Sequence, residues 1–301
     1  MRTLLLALAS VGLFAQTNEH LDNAKRIAGT EWAAAANYFC AENQTPNQPN
    51  DPLHDATKVF DNLYFIGRIG TATWAINTSD GIILIDAGYA DQIDSVLLPG
   101  LKKAGLDAAK IKYVLITHGH ADHFGGAAYL QQHGAKVAMS AADWNLVARS
   151  GNKGGDPPER DVVLEDGKPL KLGDVSVTPV LIPGHTPGSM GFVFPVKEGR
   201  ETHVAALFGG TVLIPGRMMP EGLEQYLGSI QRFREVTTRV KVDVEVQNHP
   251  LMDGLAGKLD KLQARRPPQA NPFVVGEASY QTFLNVMTEC IRAEQLRRVV
   301  R

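Results

Sequence analysis

The chain has 301 residues, 44% of them hydrophobic, which is enough for a well-buried core in one large domain or two small ones. Its 30 basic and 32 acidic residues leave a formal net charge of −2 with no basic stripe, so nucleic acid is not an expected partner. The 29 glycines and 17 prolines are dispersed, which suits a loop-rich α/β enzyme and excludes a disordered or collagen-like chain.

At the start, Arg2 precedes an apolar run of about a dozen residues, then small residues up to Ala15, then polar Gln16-Thr17-Asn18. This is a secretory signal pattern over residues 1–15, too short to span a bilayer as an anchor. A buried amino-terminal helix is the competing reading. The signal predicts a secreted, periplasmic protein with no membrane association after cleavage. Residues 16–57 form an amino-terminal arm: a helix near 19–41, with Leu21, Ala24, Ile27, Ala28, Trp32, Ala35, Ala36 and Phe39 at helical spacing, then a loop rich in Asn, Pro and Asp over 42–57. The remainder, 58–301, reads as one domain with a carboxy-terminal helix.

Within it, short strands are predicted at 57–60, 63–66, 73–76 and 82–85, with Thr78-Ser-Asp-Gly81 turning the last pair as a hairpin. Residues 90–104 look helical, and 112–117 is a buried strand. Helices follow at 124–133 and 141–150, with a short strand at 137–139 between them. The stretch 151–160, with its glycine and proline pairs, is either a flap at the mouth of a pocket or a surface connection. Strands resume at 175–182, 190–196, 203–208 and 242–246. An amphipathic helix covers 221–236, and the last helix covers 275–298. The two cysteines, Cys40 and Cys290, either bridge the arm to that last helix, as an oxidising compartment allows, or are two separately buried thiols.

The chemistry is concentrated in His118-Gly-His-Ala-Asp-His123, directly after the apolar run Tyr113–Thr117. Imidazole nitrogens and carboxylate oxygens are the donors that suit zinc. His118 and His120, two apart on an extended segment, project the same way and can share a metal. Asp122 and His123 come where Gly125-Gly126 lets the chain turn sharply, and can aim at a second metal. His185, in Pro183-Gly-His-Thr-Pro-Gly188, and His249, in Asn248-His-Pro250, each follow a strand and are candidates for the remaining positions. His20, His54, His133 and His203 read as surface or capping histidines. Asp86, at a strand end, is either an orienting partner for the imidazoles or a turn cap. No Gly-x-Ser-x-Gly elbow is present, so no covalent acyl-enzyme is required.

The hexad, together with Leu84-Ile-Asp-Ala-Gly88 and Pro183-Gly-His-Thr-Pro-Gly188, resembles the metallo-β-lactamase superfamily over about residues 58–262, and most resembles secreted lactamases of subclass B3. The resemblance implies an αββα sandwich, two β-sheets flanked by helices, with two Zn2+ ions at one edge. Carried over position by position, His118, His120 and His185 would bind the first zinc, and Asp122, His123 and His249 the second. Asp122 would also be the catalytic group, orienting a metal-bridging hydroxide that attacks the amide of a small β-lactam substrate, with antibiotic resistance as the outcome. Thioesterases of the glyoxalase II type and lactonases resemble one another in having a metal-bridging aspartate. The matching stretch here is Leu207-Phe-Gly-Gly-Thr-Val-Leu213, and the aligned residue is Thr211, on the substrate side. Leu213 stands where lactamases of the subclass resemble one another in having a serine, which alters carboxylate recognition. Two alternatives remain: a related two-metal hydrolase of lactones or thioesters, and a non-catalytic periplasmic zinc-binding protein, which predicts a site closed to water. Nothing in the sequence fixes an oligomeric state.

Overall fold

The structure, a computed structural model, describes residues 2–41, 51–150, 155–213, 218, 220–266 and 268–300, apart from the side chains of residues 2–14, 150, 220 and 300. The signal-like stretch therefore falls on residues whose side chains lie outside the described part. The single helix predicted over 19–41 is two: α1 (Arg2–Ala28) and α2 (Ala33–Phe39). Gly29, at φ 54°, breaks the helical path between them.

Four antiparallel strands follow, β1 (Leu53–Phe60), β2 (Leu63–Arg68), β3 (Ala72–Thr78) and β4 (Gly81–Ile85). The predicted helix over 90–104 is built of three helical turns of different pitch, ending in α3 (Leu98–Lys103). Next come β5 (Ile111–Leu115), α4 (Ala121–Phe124), α5 (Ala127–Gln132), β6 (Lys136–Ser140) and α6 (Ala141–Ser150). The strand predicted to reach Thr117 stops two residues earlier, and the helix predicted over 124–133 is split in two and starts earlier, inside the histidine hexad. Two three-residue strands, β7 (Val162–Leu164) and β8 (Leu170–Leu172), are too short to show a period in the sequence. The second half contains β9 (Val175–Leu181), β10 (Met190–Glu198), β11 (Glu201–Leu207), α7 (Pro220–Arg239), β12 (Val244–Glu245), α8 (Leu255–Ala264) and α9 (Glu277–Val300). Helix α8 was legible in principle: Leu255, Leu259 and Leu262 stand at helical spacing.

Strands β1 to β7 form one sheet in sequence order, parallel from β4 onward, and β12-β11-β10-β9-β8 form the second. The period-two alternation of each strand sorts its side chains between layers. In β4, Ile83 and Ile85 enter the core between the sheets, while Ile82 and Leu84 face the layer of α3, α5 and α6. In β10, Phe192, Phe194 and Val196 join the central core, and Val193 faces the opposite layer of α1, α2, α7 and α9. This is the αββα sandwich. Cys40 and Cys290 are bonded to each other, closing 250 residues of sequence and fixing the end of α2 to α9. Trp32 and Phe39 are buried against Phe283 on the same helix.

Candidate metal centre

The residues of interest lie beyond the carboxyl ends of strands, at one edge of the sandwich, in loops and in the short helix α4, where side chains converge over a rigid frame. Asp86 follows β4, the hexad follows β5, His185 follows β9, residues 208–213 follow β11, and His249 follows β12. Gly125 and Gly126 do not make the sharp turn the sequence suggested: their φ values of −55° and −83° are helical. Their contribution is the missing side chain. A β-carbon on Gly125 would stand 2.5 Å from the Ala121 carbonyl oxygen and 2.6 Å from the Ala90 amide nitrogen. The loop after β4 can therefore lie directly against the hexad.

Two triads result. His185 Nε2 lies 3.1 Å from His118 Nε2 and 3.0 Å from His120 Nδ1. His123 Nε2 lies 3.1 Å from His249 Nε2, with Asp122 Oδ2 3.4 Å from the former and 3.7 Å from the latter. The His118 and His123 rings, one from each triad, have centroids 4.0 Å apart. His118 and His120 thus converge from a bend rather than from an extended strand, and they use different nitrogens. Among the described residues the other four histidines are elsewhere: His20 pairs with Glu289, His203 with Asp243, His133 with the Tyr129 carbonyl, and His54 lies in β1.

The hydrogen bonds fix the tautomers. His249 Nδ1 lies 2.6 Å from the Gly70 carbonyl oxygen, and His185 Nδ1 lies 2.5 Å from that of Val212. Each oxygen can only accept, so each Nδ1 carries the proton. His123 Nδ1 donates to Asp86 Oδ2 at 2.7 Å. The single hydroxyl proton of Thr117 goes to Asp86 Oδ2 at 2.9 Å, so its oxygen accepts from His118 Nδ1 at 3.1 Å. In all four rings Nε2 is thus the nitrogen that faces inward. In the first triad the inward lone pairs of His118 and His185, about 3 Å apart, repel unless a cation lies between them; in the second, a proton on His123 or a metal ion fills the same role. Ligands bonded tetrahedrally at about 2.0–2.1 Å to zinc are separated by about 3.3–3.4 Å. The donor set and its spacing therefore fit one divalent ion per triad.

The electrostatics agree. Burial, then the neighbouring imidazoles, hold His118 and His185 well below the ordinary histidine value. Burial and the charge of His123 bring His249 down to about 4. For Asp122, burial acts to raise the pKa, but His123, His249 and His120 overcome it and keep the carboxyl well below the usual range. For His123, burial acts to lower it, but the flanking Asp122 and Asp86 raise it to about 10. Metal-free protein at neutral pH thus carries a proton on His123 that an incoming ion must displace. The apparent affinity of the Asp122–His123–His249 triad for zinc should rise by about tenfold per pH unit from about pH 7, levelling near pH 10. Calorimetry in buffers of different ionisation enthalpy should find about one proton released at pH 8; release of none there would remove the imidazolium.

Asp86 is fully buried and sits at φ 62°, a strained position for a non-glycine residue. Its carboxylate accepts from the Thr117 amide at 2.8 Å as well as from Thr117 Oγ1 and His123, and Asn248 Nδ2 reaches it at 3.4 Å. These four contacts all meet the carboxylate, and one of them is a direct bond from the His123 ring.

Three features escaped the sequence. Thr117 and Asn248 are bonded to each other at 3.0 Å beside Asp86, flanking His118 and His249 in the chain. A half-buried Lys258 bridges Glu245 (2.7 Å) and Asp253 (3.0 Å), bracing the strand and turn on either side of His249. Asp143 accepts from the loops of both His118–His120 and His185. Only Thr117 and Asn248, each adjacent to a candidate ligand, had a sequence signal that could have singled them out. Thr211 and Leu213 are both buried. Residues 151–154 lie outside the described residues, while Glu159 is tied to Gln131 by two bonds of 2.9 Å.

Two β-sheets sandwiched between helices, with adjoining histidine-aspartate triads beyond their strand ends, define a metallo-hydrolase architecture. Residues 66–198 match the family model of the metallo-beta-lactamase superfamily. BJP-1, a subclass B3 metallo-beta-lactamase of Bradyrhizobium japonicum, superposes with a TM-score of 0.68 at 24% identity, covering 79% of this chain and 91% of that one. Native FEZ-1 metallo-beta-lactamase from Legionella gormanii gives 0.67 at 25% identity, covering 84% and 96%. In sequence, the chain is 33% identical over 137 residues to a hydroxyacylglutathione hydrolase of Methylococcus capsulatus, covering 44% of this chain and 47% of that protein. It is 28% identical over 171 residues to an atrochrysone carboxyl ACP thioesterase of Aspergillus fumigatus, covering 57% and 49%. The chain spans about half the length of these curated relatives.

Proposed function

We propose that the protein is a two-zinc hydrolase that opens the amide of β-lactams. His118, His120 and His185 would hold one ion, and Asp122, His123 and His249 the other. Bound there, the ions supply Lewis acidity that polarises a carbonyl and makes water a nucleophile near neutral pH. The chain's own residues do the rest. The Nδ1 bonds to Gly70, Val212, Thr117 and Asp86 hold the imidazoles rigid. Asp122 stays ionised under the influence of its histidine neighbours, so its carboxylate can orient the attacking water by accepting its hydrogen bond. Tyr38 has a buried hydroxyl with no partner among the described residues, and burial and the nearby Asp122 charge keep it protonated, so it has a proton to donate. Ser189 is fully buried and bonded to Thr186 at 2.8 Å, which leaves it unfit as a nucleophile.

One observation carries the choice of lactam over thioester. The stretch where thioesterase-type relatives would place a bridging aspartate contains no carboxylate, and its two glycines have no room for a side chain. Gly210 sits at φ +71°, and a β-carbon there would lie 2.8 Å from both His185 Cβ and Ser189 Oγ. On Gly209 it would lie 2.1 Å from the Met190 carbonyl oxygen. Thr211 brings a hydroxyl, not a carboxylate. Thioester hydrolysis is the second reading, favoured by the names of the sequence relatives. The partial exposure of His120, His185 and Asp122 leaves each triad open on one side, which supports turnover over zinc storage. We also propose export to the periplasm, supported by the Cys40–Cys290 bond and the signal-like first 15 residues.

The test is a panel of penicillins, cephalosporins and carbapenems beside a hydroxyacyl-glutathione thioester, each assayed before and after chelation. The expected result is β-lactam hydrolysis that chelator abolishes and zinc restores. Thioester turnover with no lactam turnover would transfer the assignment to the second reading. Two bound zinc ions with neither activity would leave a carrier.

A further inference from the structure

Asp143 is fully buried, and among the described residues no cation pairs with it. Its Oδ2 accepts from the Gly119 amide at 2.8 Å and from Thr186 Oγ1 at 2.7 Å, and its Oδ1 accepts from the Gly188 amide at 2.8 Å. Gly119 lies between His118 and His120, whereas Thr186 and Gly188 follow His185. One carboxylate therefore gathers the two loops that carry the first triad, and those loops grow from strands of different sheets. Gly188 is pressed so closely that a β-carbon would stand 2.0 Å from Ser140 Oγ and 2.7 Å from Asp143 Oδ1.

The local explanation for such a residue is a helix cap. Ser140 and Asp143 have the capping-box spacing at the start of α6, and Ser140 Oγ accepts from the Asp143 amide at 3.1 Å. A capping acid, however, returns its carboxylate to the amide of the cap residue, and all three donors to Asp143 come from distant loops instead. Burying a carboxylate without a counter-charge is costly, and burial pushes the Asp143 carboxyl up despite its three bonds. The second triad has an acid of its own: Asp86 bonds His123 directly.

We propose that Asp143 is a positioning residue that sets the spacing of the His118–His120–His185 ion site and leaves the Asp122–His123–His249 site to Asp86. This rests on the two-ion reading of the site. Asp143→Asn preserves shape but sets an N–H against at least one loop donor. Thr186→Val, a milder change, removes one donor and keeps the charge.

Chelator-stripped protein is titrated with Zn2+ against a chromophoric chelator to resolve two dissociation constants, and with Co2+ to record the visible spectrum of each site. Asp143→Asn should weaken one constant by about 10–100-fold and leave the other unchanged, with Thr186→Val shifting the same constant less. Asp86→Asn should weaken the other constant. A purely structural role for Asp143 would lower thermal stability while leaving both constants alone, or would weaken both equally; either result overturns the proposal. If Asp143→Asn does not fold, Thr186→Val decides alone: an unmoved first constant overturns the proposal. Wild-type protein that binds fewer than two ions defeats the two-ion reading itself, a failure visible before any variant is compared.

Discussion

His120→Ala is expected to lower turnover by about a thousandfold or more and to reduce bound zinc from two ions to one. The first triad depends on three nitrogens meeting at one point, and His120 Nδ1 is one of them, 3.0 Å from His185 Nε2. With two ligands left, an ion is no longer held in a catalytic geometry. Lewis-acid stabilisation of a transition state is worth several kcal/mol, and every 1.36 kcal/mol is about tenfold in rate. His120 is partly exposed and belongs to none of the hydrophobic clusters, so the fold should be retained. The measurements are kcat/KM, elemental zinc content and the thermal melt of the same preparation. Normal rates with two ions per chain would mean that His120 is not a ligand.

The second large effect concerns the arm. Removing the bridge with Cys40→Ala and Cys290→Ala together should cost about 4–5 kcal/mol, because the bond closes 250 residues of chain and its main effect is on the entropy of the unfolded state. For a chain of this length the loss corresponds to a fall in Tm of roughly 6–8 °C. The arm should stay docked at low temperature, since Trp32, Ala35, Ala36 and Phe39 are buried against α9 and its neighbours. Thermal melts of oxidised, reduced and doubly substituted protein make the comparison. Indistinguishable midpoints would show that the bond adds nothing to the packing of α2 on α9.

The parts of the site legible in the sequence share a physical origin. Within Tyr113–His123, ligand types and spacing are set by covalent neighbours, so four donors in six residues report their chemistry directly. The alternation in β4 and β10 and the spacing in α7 were visible for the same reason: a period is a local property. Where several short geometries compete, locality stopped helping. The helical segment over 90–103 changes pitch twice, and the hexad switches from a bend at His118 to the short helix α4, so that His118 and His120 offer different nitrogens. The glycine pair 125–126 was correctly marked as special but for the wrong cause: close contact with the loop after β4, not a turn, requires it.

What the sequence determined alone is the kind of chemistry: imidazole and carboxylate donors clustered at a strand end, in a chain built of αβ layers. Only the tertiary structure decided which donors meet, since His185 is 67 residues from His118, and His249 is 126 from His123. It also decided which nitrogen of each ring faces inward, through carbonyl oxygens of Gly70 and Val212 that carry no residue-type signature, every residue having such an oxygen. Asp143 belongs to the same category. Its spacing to Ser140 suggests a helix cap, and only the approach of two loops from opposite sheets gives its carboxylate different partners.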